Sequence, residues 1–556
     1  MILVVTWMVK STPDDIEVHT MGKVAGTAST GSVSEVLGRR SERDPDGPLA
    51  KCGGDWVTNR QMADAAARIA AGLSELGLGR GHRLAFIAPN RPEVLELLFG
   101  VARVGAIQVP LNYFLKGDFL RYQLADSDAQ VLVCDAAGYA AAKPLLGETS
   151  VKHLVLLDEI DETPPMNAIA FESLQSAEGS GAPDEELSPQ DPFAIIYTSG
   201  TTGMPKGCVL THGSYVAGTA AFAEAGWIAP GDRIFTAFPL FHTSGQIIAL
   251  MNALVVGESV CFEPAFSAST FISRAAEEQA TVLQGVGPMA MAILAQPPEA
   301  TSVEHSLRLA SFIPMDPNSQ AALSSRLGVP VTAAAYGQTE ANPVTMGRLD
   351  GPAKPGSAGQ ASANFDIRLV DDDDREVGTS EIGEICVRPT EPWVMFSGYW
   401  NKPDATVEAF RNLWHHTGDF GRLDEDGFLY FVDRKKDALR RRGENISSFE
   451  LEIAISGHPG IAQAAVVAEP SPLGEDDVRA CVVAAPDTTL EAAELFEWFK
   501  ERLPYFAVPR YVDVLEALPA NAMGRVMKHV LREQGVSPDT WDFEAMGLTI
   551  GKDKRR

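Results

Sequence analysis

At 556 residues the chain is too long for a single hydrophobic core and predicts two or more domains. Its 45% hydrophobic and 22% charged residues are those of a soluble globular protein. A formal net charge of −28 argues against nucleic acid and anionic membrane as partners, so a bound polyanion must find a local positive site.

Six cysteines (Cys52, Cys134, Cys208, Cys261, Cys386 and Cys481) are scattered with no CxxC pair and no clustered histidines. This points to a reducing, cytoplasmic setting without structural zinc. Residues 1–9 are apolar over too short a run to cross a membrane and lack a basic leader. Residues 1–30 read as a loose tail, and Met21 is an alternative start to Met1.

From residue 55 helices and strands alternate. Asn59 can cap a helix whose apolar face is Met62, Ala66, Ile69, Leu73 and Leu76, closed by Gly77. Strands are expected at 84–87, 107–111, 129–134 and 153–157, with helices at 93–104 and 120–124. Such alternation means crossover units and a largely parallel, covered sheet. Residues 172–190 are a polar connector rich in Ser, Gly, Pro and Glu.

The connector leads into FAIIY (193–197), which reads as a buried strand. There follows YTSGTTGMPKG, residues 197–207, with a helix expected over 209–224. Glycine backbone N–H groups can approach phosphate oxygens, the hydroxyls add donors, and Lys206 adds a mobile positive charge. The run differs from the GxxxxGK[ST] loop, because only Met204 and Pro205 separate Gly203 from Lys206.

A strand at 233–237 is followed by FPLFHTSG (238–245), in which His242 is either a structural histidine or a contact to substrate. A strand at 331–335 ends in Tyr336-Gly337-Gln338-Thr339-Glu340. A carboxylate there, beside a hydroxyl and a ring, suits a nucleotide site at a sheet edge. Residues 366–370 and 384–387 form an antiparallel hairpin around four aspartates at 371–374, which read as a solvated turn.

Next come WHHTGD (414–419) and FLYFVDR (428–434). In a nucleotide-binding protein, Asp419 in a tight turn is shaped to accept both ribose hydroxyls. His415 and His416 would point apart on a strand, which disfavours a metal pair. Beyond Lys436 a small α+β unit is expected: helices at 448–455 and 491–502, strands at 461–468, 478–485 and 511–514. The basic run Arg440-Arg441-Arg442, followed by Gly443-Glu444-Asn445-Ile446, is either a charged hairpin or a loop that meets a phosphate-rich ligand.

These motifs, in this order from about residue 55 to about residue 532, resemble the adenylate-forming superfamily of acyl-CoA synthetases, peptide-synthetase adenylation domains and luciferases. The DRKKD (433–437) and RGENI (442–446) runs look most like acyl-CoA ligases of the crotonobetaine/carnitine-CoA ligase-like group. The resemblance implies an α/β fold. A large N-terminal domain of covered, mostly parallel sheets with a small β-barrel-like subdomain spans 31–435, and a small mobile α+β domain spans 436–556.

It implies that Thr198, Ser199, Gly200, Thr201, Thr202, Gly203 and Lys206 hold ATP phosphates. Tyr336 packs near adenine within the Tyr336-Gly337-Gln338-Thr339-Glu340 run, Thr339 meets the α-phosphate, and Asp419 and Arg434 meet ribose or phosphate. Thr198 and Glu340 would hold Mg²⁺, a hard cation that keeps several waters and bridges phosphate oxygens. His242, Ser311, Phe312 and Ile313 would line the acyl pocket, together with residues 242–246, 285–290, 311–314 and 333–335. Phe312 and Ile313 stand where small residues are usual, which implies a shortened pocket. Lys436 matches the hinge, and Arg442, Gly443 and Glu444 match the loop that meets coenzyme A.

In LPANAMGRVMK (518–528) the lysine that usually follows the glycine is replaced by Arg525, and the nearest lysine is Lys528. Either could fill the catalytic place, although an arginine fork is no drop-in for an ammonium. The function implied is that of an ATP-dependent acyl-CoA synthetase acting through an acyl adenylate on a small carboxylic acid, with ATP, Mg²⁺ and coenzyme A as cofactors and a homodimer as one possible state. The alternatives are a stand-alone adenylating enzyme that loads a carrier protein, and a nucleotide-binding relative that has lost catalysis.

Overall fold

The computed structural model describes residues 31–175, 186–198, 204–315, 317–371, 373–434, 438–441, 444–471, 474–486, 488–519, 526 and 528–550. The expected tail, the boundary at 435–437 and Arg525 lie outside these residues.

Two sheets organise the larger part of the chain. One has eight strands in the order Gly398–Tyr399, Lys206–Thr211, Pro192–Thr198, Ile107–Pro110, Arg83–Ile87, Val131–Cys134, His153–Leu156 and Asn167–Ala170. Its last six strands are parallel, and its first two run antiparallel to their neighbours. The other has seven strands in the order Val331–Thr332, Leu309–Ile313, Val282–Val286, Arg233–Thr236, Ser259–Phe262, Pro48–Cys52 and Val57–Thr58. Parallel strands buried on both faces read as continuous apolar runs, and Val131–Cys134 and Ser259–Phe262 are buried at every position.

Both sheets feed one apolar core. Phe86 and Ile196 from the first join Ile234, Val282 and Leu309 from the second, with Leu97, Val101, Val216 and Phe222 from the helices Pro92–Arg103 and His212–Glu224. The expected Asn59 helix spans Asn59–Glu75, but Thr58 caps it in a capping box with Gln61.

The helix expected over 209–224 starts later. Lys206–Thr211 is a strand that doubles back on Pro192–Thr198, and only His212–Glu224 is helical. The alternation of Cys208 and Leu210 into the core makes the strand, and Thr211 caps the helix. The strand expected over 331–335 divides into Val331–Thr332 and Ala335–Tyr336, which belong to different sheets.

A four-stranded antiparallel sheet follows, in the order Phe365–Val370, Gly383–Pro389, His415–Leu423 and Leu429–Arg434. The smaller C-terminal part pairs Ala438–Arg441 with Glu444–Ser447 and carries a four-stranded sheet of Ile461–Pro470, Asp476–Ala484, Tyr511–Val514 and Trp541–Asp542. Leu451, Val466, Val482, Phe496, Phe499 and Val512 give it a core of its own. No helix among the described residues is long and apolar enough to cross a membrane.

Candidate active site

A cleft of about 2030 Å³ gathers groups that are far apart in sequence. Thr198, Lys206, His242, Ser311, Ile313, the run from Tyr336 to Glu340, Asp419 and Glu444 all line it. Ser199, Gly200, Thr201, Thr202, Gly203, Lys436, Arg442 and Gly443 lie outside the described residues, and Arg434 is described through its backbone alone.

At one end Asp419 is the common acceptor of a polar network. Tyr336 donates its hydroxyl to Asp419 Oδ2 at 2.8 Å, and Gln338 Nε2 donates to the same oxygen at 2.6 Å and to the Thr417 carbonyl at 2.9 Å. The Asp419 amide donates to Thr417 Oγ1 at 3.1 Å. Asp419 sits within the strand His415–Leu423 rather than in a tight turn, with the positive φ of Gly418 confined to one position. Its strand partner is Arg434. Phe431, 47% exposed and 6.2 Å from the Tyr336 ring, adds an aromatic wall that sequence reasoning missed. Its exposure, which makes it a wall and not core, is a tertiary property with no signal in the FLYFVDR run itself.

Lys206 and Glu340 line the same cleft. Thr198 and Lys206 face each other across the antiparallel pair, and Thr198 Oγ1 donates to the Lys206 carbonyl at 3.5 Å. Glu340 is 9% exposed, and its Oε1 accepts from the Tyr399 hydroxyl at 2.9 Å. Lys206 Nζ lies 4.9 Å from the centroid of the same tyrosine ring. Burial pushes the Glu340 carboxyl above the ordinary glutamate range, against the opposing pull of its hydrogen bonds and of Lys206.

A cation would relieve that cost. Among the described residues no group of three or more metal-ligating side chains occurs. A buried carboxylate that lines the cleft beside Lys206 is nonetheless a hard oxygen donor of the kind that suits Mg²⁺, a cation that keeps several waters as ligands.

His242 lies at the start of a third stretch of wall. Its Nδ1 accepts from the Ser244 amide at 3.2 Å and is 2.9 Å from Ser244 Oγ. The glycine three positions on has a steric reason: a Cβ on Gly245 would sit 2.3 Å from the Pro239 carbonyl oxygen. Phe312 corrects the expected acyl wall. It is fully buried with Leu283, Met289 and Ile293 in a separate apolar cluster, while Ser311 and Ile313, on the opposite face of the strand Leu309–Ile313, line the cleft. Phe222, Trp227, Phe238 and Phe241 also line it, although in sequence they look like ordinary core aromatics.

The C-terminal part closes one side. Asn112 Nδ2 donates to Glu444 Oε2 at 3.4 Å, and Phe114 packs against Tyr505 and Phe506 at ring distances of 4.6 and 6.0 Å. Lys528, expected as a catalytic candidate, is not brought to the cleft. Its Nζ donates to Ser448 Oγ at 2.7 Å and pairs with Glu452 Oε1 at 2.6 Å within its own domain.

A family model described as AMP-binding enzyme matches residues 37–400, and one described as AMP-binding enzyme C-terminal domain matches residues 450–525. The chain belongs to the AMP-binding enzyme family. A feruloyl-CoA synthase from Amycolatopsis sp is 33% identical over 510 residues, covering 89% of this chain and 97% of that protein. The crotonobetaine/carnitine–CoA ligase of Salmonella paratyphi A is 32% identical over 466 residues, covering 82% and 89%. The solved structure of a double mutant of o-succinylbenzoate CoA synthetase from Bacillus subtilis, bound to a product analogue, has 26% identity and a TM-score of 0.78, covering 90% of this chain and 98% of that one. Among AMP-binding enzymes, this chain stands with the AMP-forming acid–thiol ligases, which make acyl-CoA through an adenylate.

Proposed function

We propose that this cleft activates a carboxylic acid of short to medium length or aryl size as its acyl adenylate and passes the acyl group to coenzyme A. The observation that carries the assignment of roles is the convergence of Lys206, Glu340 and the Asp419 network in one cleft with an aromatic-lined extension. A carboxylate is a poor electrophile, and its oxide is a hopeless leaving group. Attack of its oxygen on the α-phosphorus of ATP expels pyrophosphate and leaves a good leaving group, AMP. A thiolate then attacks the acyl carbonyl, the C–S bond forms, and AMP departs.

Asp419, held by Tyr336 and Gln338, would accept the ribose hydroxyls, with Arg434 opposite it in the sheet. Lys206 would meet the charge that grows on pyrophosphate, and Thr339 the α-phosphate. Glu340 and Thr198 would hold Mg²⁺, which supplies electrophilic stabilisation of the phosphates when bound. His242, Ser311 and Ile313 would border the acyl group, with Phe238 and Phe241 suited to a planar chain. With Phe312 in the core, the size limit rests on Ile313 and those rings, and the feruloyl-CoA synthase relative supports an aromatic acid.

Glu444, which borders the cleft, would serve the thiol-transfer half of the cycle. In the adenylation half Arg525 would supply the cation, with Lys436 as the hinge about which the C-terminal part turns between the two half-reactions. A panel of short aliphatic, cinnamic and long-chain acids, assayed for pyrophosphate and then for thioester with coenzyme A, tests the proposal. Cinnamates or short acids should lead. Preference for a long-chain acid refutes the size argument, and adenylate without thioester favours transfer to a carrier protein.

A further inference from the structure

The chain around Tyr399 is docked on the strand that carries Lys206. Gly398 and Tyr399 pair antiparallel with Val209 and Cys208, and the amides of Ser397 and Trp400 donate to the carbonyls of Val209 at 2.8 Å and Gly207 at 2.7 Å. The Tyr399 amide donates to Thr406 Oγ1 at 2.9 Å. Backbone and side chain together leave the ring little freedom. One side chain then touches both charged groups that the ATP-dependent step needs, Lys206 through the ring face and Glu340 through the hydroxyl.

We propose that Tyr399 is a positioning residue for adenylation, which holds the Lys206 ammonium and the Glu340 carboxylate in place and keeps them from pairing directly with each other. This rests on the adenylation reading of the cleft. Opposite charges in a buried site attract strongly, and a direct ion pair would have to be broken before Lys206 could meet a phosphate and Glu340 a cation. A neutral ring face attracts the ammonium more weakly, and one hydroxyl bond orients the carboxylate without neutralising it. Nothing in the sequence motifs around Tyr336 or Lys206 points to this residue, because it comes from a two-residue strand some 190 positions beyond Lys206.

Two variants separate the parts of the idea. Tyr399→Phe keeps the ring and removes the hydroxyl, and Tyr399→Leu removes both. Binding of the α,β-methylene analogue of ATP, which cannot transfer its adenylyl group because the α–β bridge is carbon, is measured by calorimetry with MgCl₂ and with EDTA. For Tyr399→Phe the Mg²⁺-dependent part of the affinity should fall about tenfold, the scale of one hydrogen bond to a charged group, with the affinity in EDTA unchanged. For Tyr399→Leu the affinity in EDTA should fall as well, because Lys206 is then free to pair with Glu340.

In turnover the ATP KM should rise in both variants more than kcat falls. Wild-type affinities in both buffers, or a loss confined to thermal stability, would overturn the proposal while leaving the function intact. Failure of the wild-type enzyme to release pyrophosphate with any acid of the panel would instead sink the adenylation reading, and this inference with it.

Discussion

In the proposed assignment the ribose end of the cleft is built on Asp419, which accepts hydrogen bonds from Tyr336 and Gln338, whereas the phosphate end is built on Lys206 and Glu340, both touched by the Tyr399 side chain. The first end is a finished network that a ligand joins by replacing or sharing bonds. At the second, burial raises the Glu340 carboxyl, and its hydrogen bonds and Lys206 offset this only in part. The difference teaches where binding and catalysis should divide. Damage at the ribose end should weaken ATP binding, and damage at the phosphate end should slow the chemistry.

The largest effect should come from Glu340→Gln, which removes the one carboxylate of the 336–340 run while keeping its shape. ATP–pyrophosphate exchange should fall about 10²-fold or more with the melting curve intact, the scale of losing one preorganised electrostatic group. Near-normal exchange would take Glu340 out of the site and end the contrast between the two ends.

Next is the pair Arg525→Ala and Lys528→Ala, assayed for adenylation and separately for thioester formation from a pre-made acyl adenylate. Arg525→Ala should lose mainly the first half-reaction. Lys528→Ala should lose much less, because its ammonium is engaged by Ser448 and Glu452. The reverse pattern would hand the catalytic place to Lys528.

Asp419→Asn sharpens the comparison from the ribose side. It removes the charge that Tyr336 and Gln338 address, and the ATP KM should rise about tenfold with kcat little changed. A fall in kcat without a change in KM would erase the proposed division.

The smallest effect is a control outside the cleft. Burial, then the neighbouring Asp232 charge, pushes the Glu258 carboxyl from 4.5 up to about 7. The folded state therefore holds this proton more tightly than the unfolded chain does. Its contribution to stability is full below about pH 4.5, declines as pH rises to about 7, and is constant above. Glu258→Gln should flatten that decline in the Tm-against-pH curve without changing the ATP KM. An unchanged curve would show that Glu258 titrates normally.

By itself the sequence determined what depends on short range. The strand at 192–198, the alternating elements that make the parallel sheet, the Tyr336 to Glu340 run and the Thr-Gly-Asp run are each specified by residues within a few positions of one another. Strand parity also states that Ser311 and Ile313 share a face and Phe312 takes the other. Which face meets the cleft was decided by the second sheet and its packed helices, which place Phe312 with Leu283 and Ile293. In the same way the doubling back of Lys206–Thr211 depends on partners on both flanks, Pro192–Thr198 and the distant Gly398–Tyr399. The meeting of Tyr399 with Lys206 and Glu340, and of Lys528 with Glu452, also depends on contacts between segments far apart in the chain. Such contacts leave no local periodicity or spacing to read, because their free energy arises only once the chain has brought the segments together.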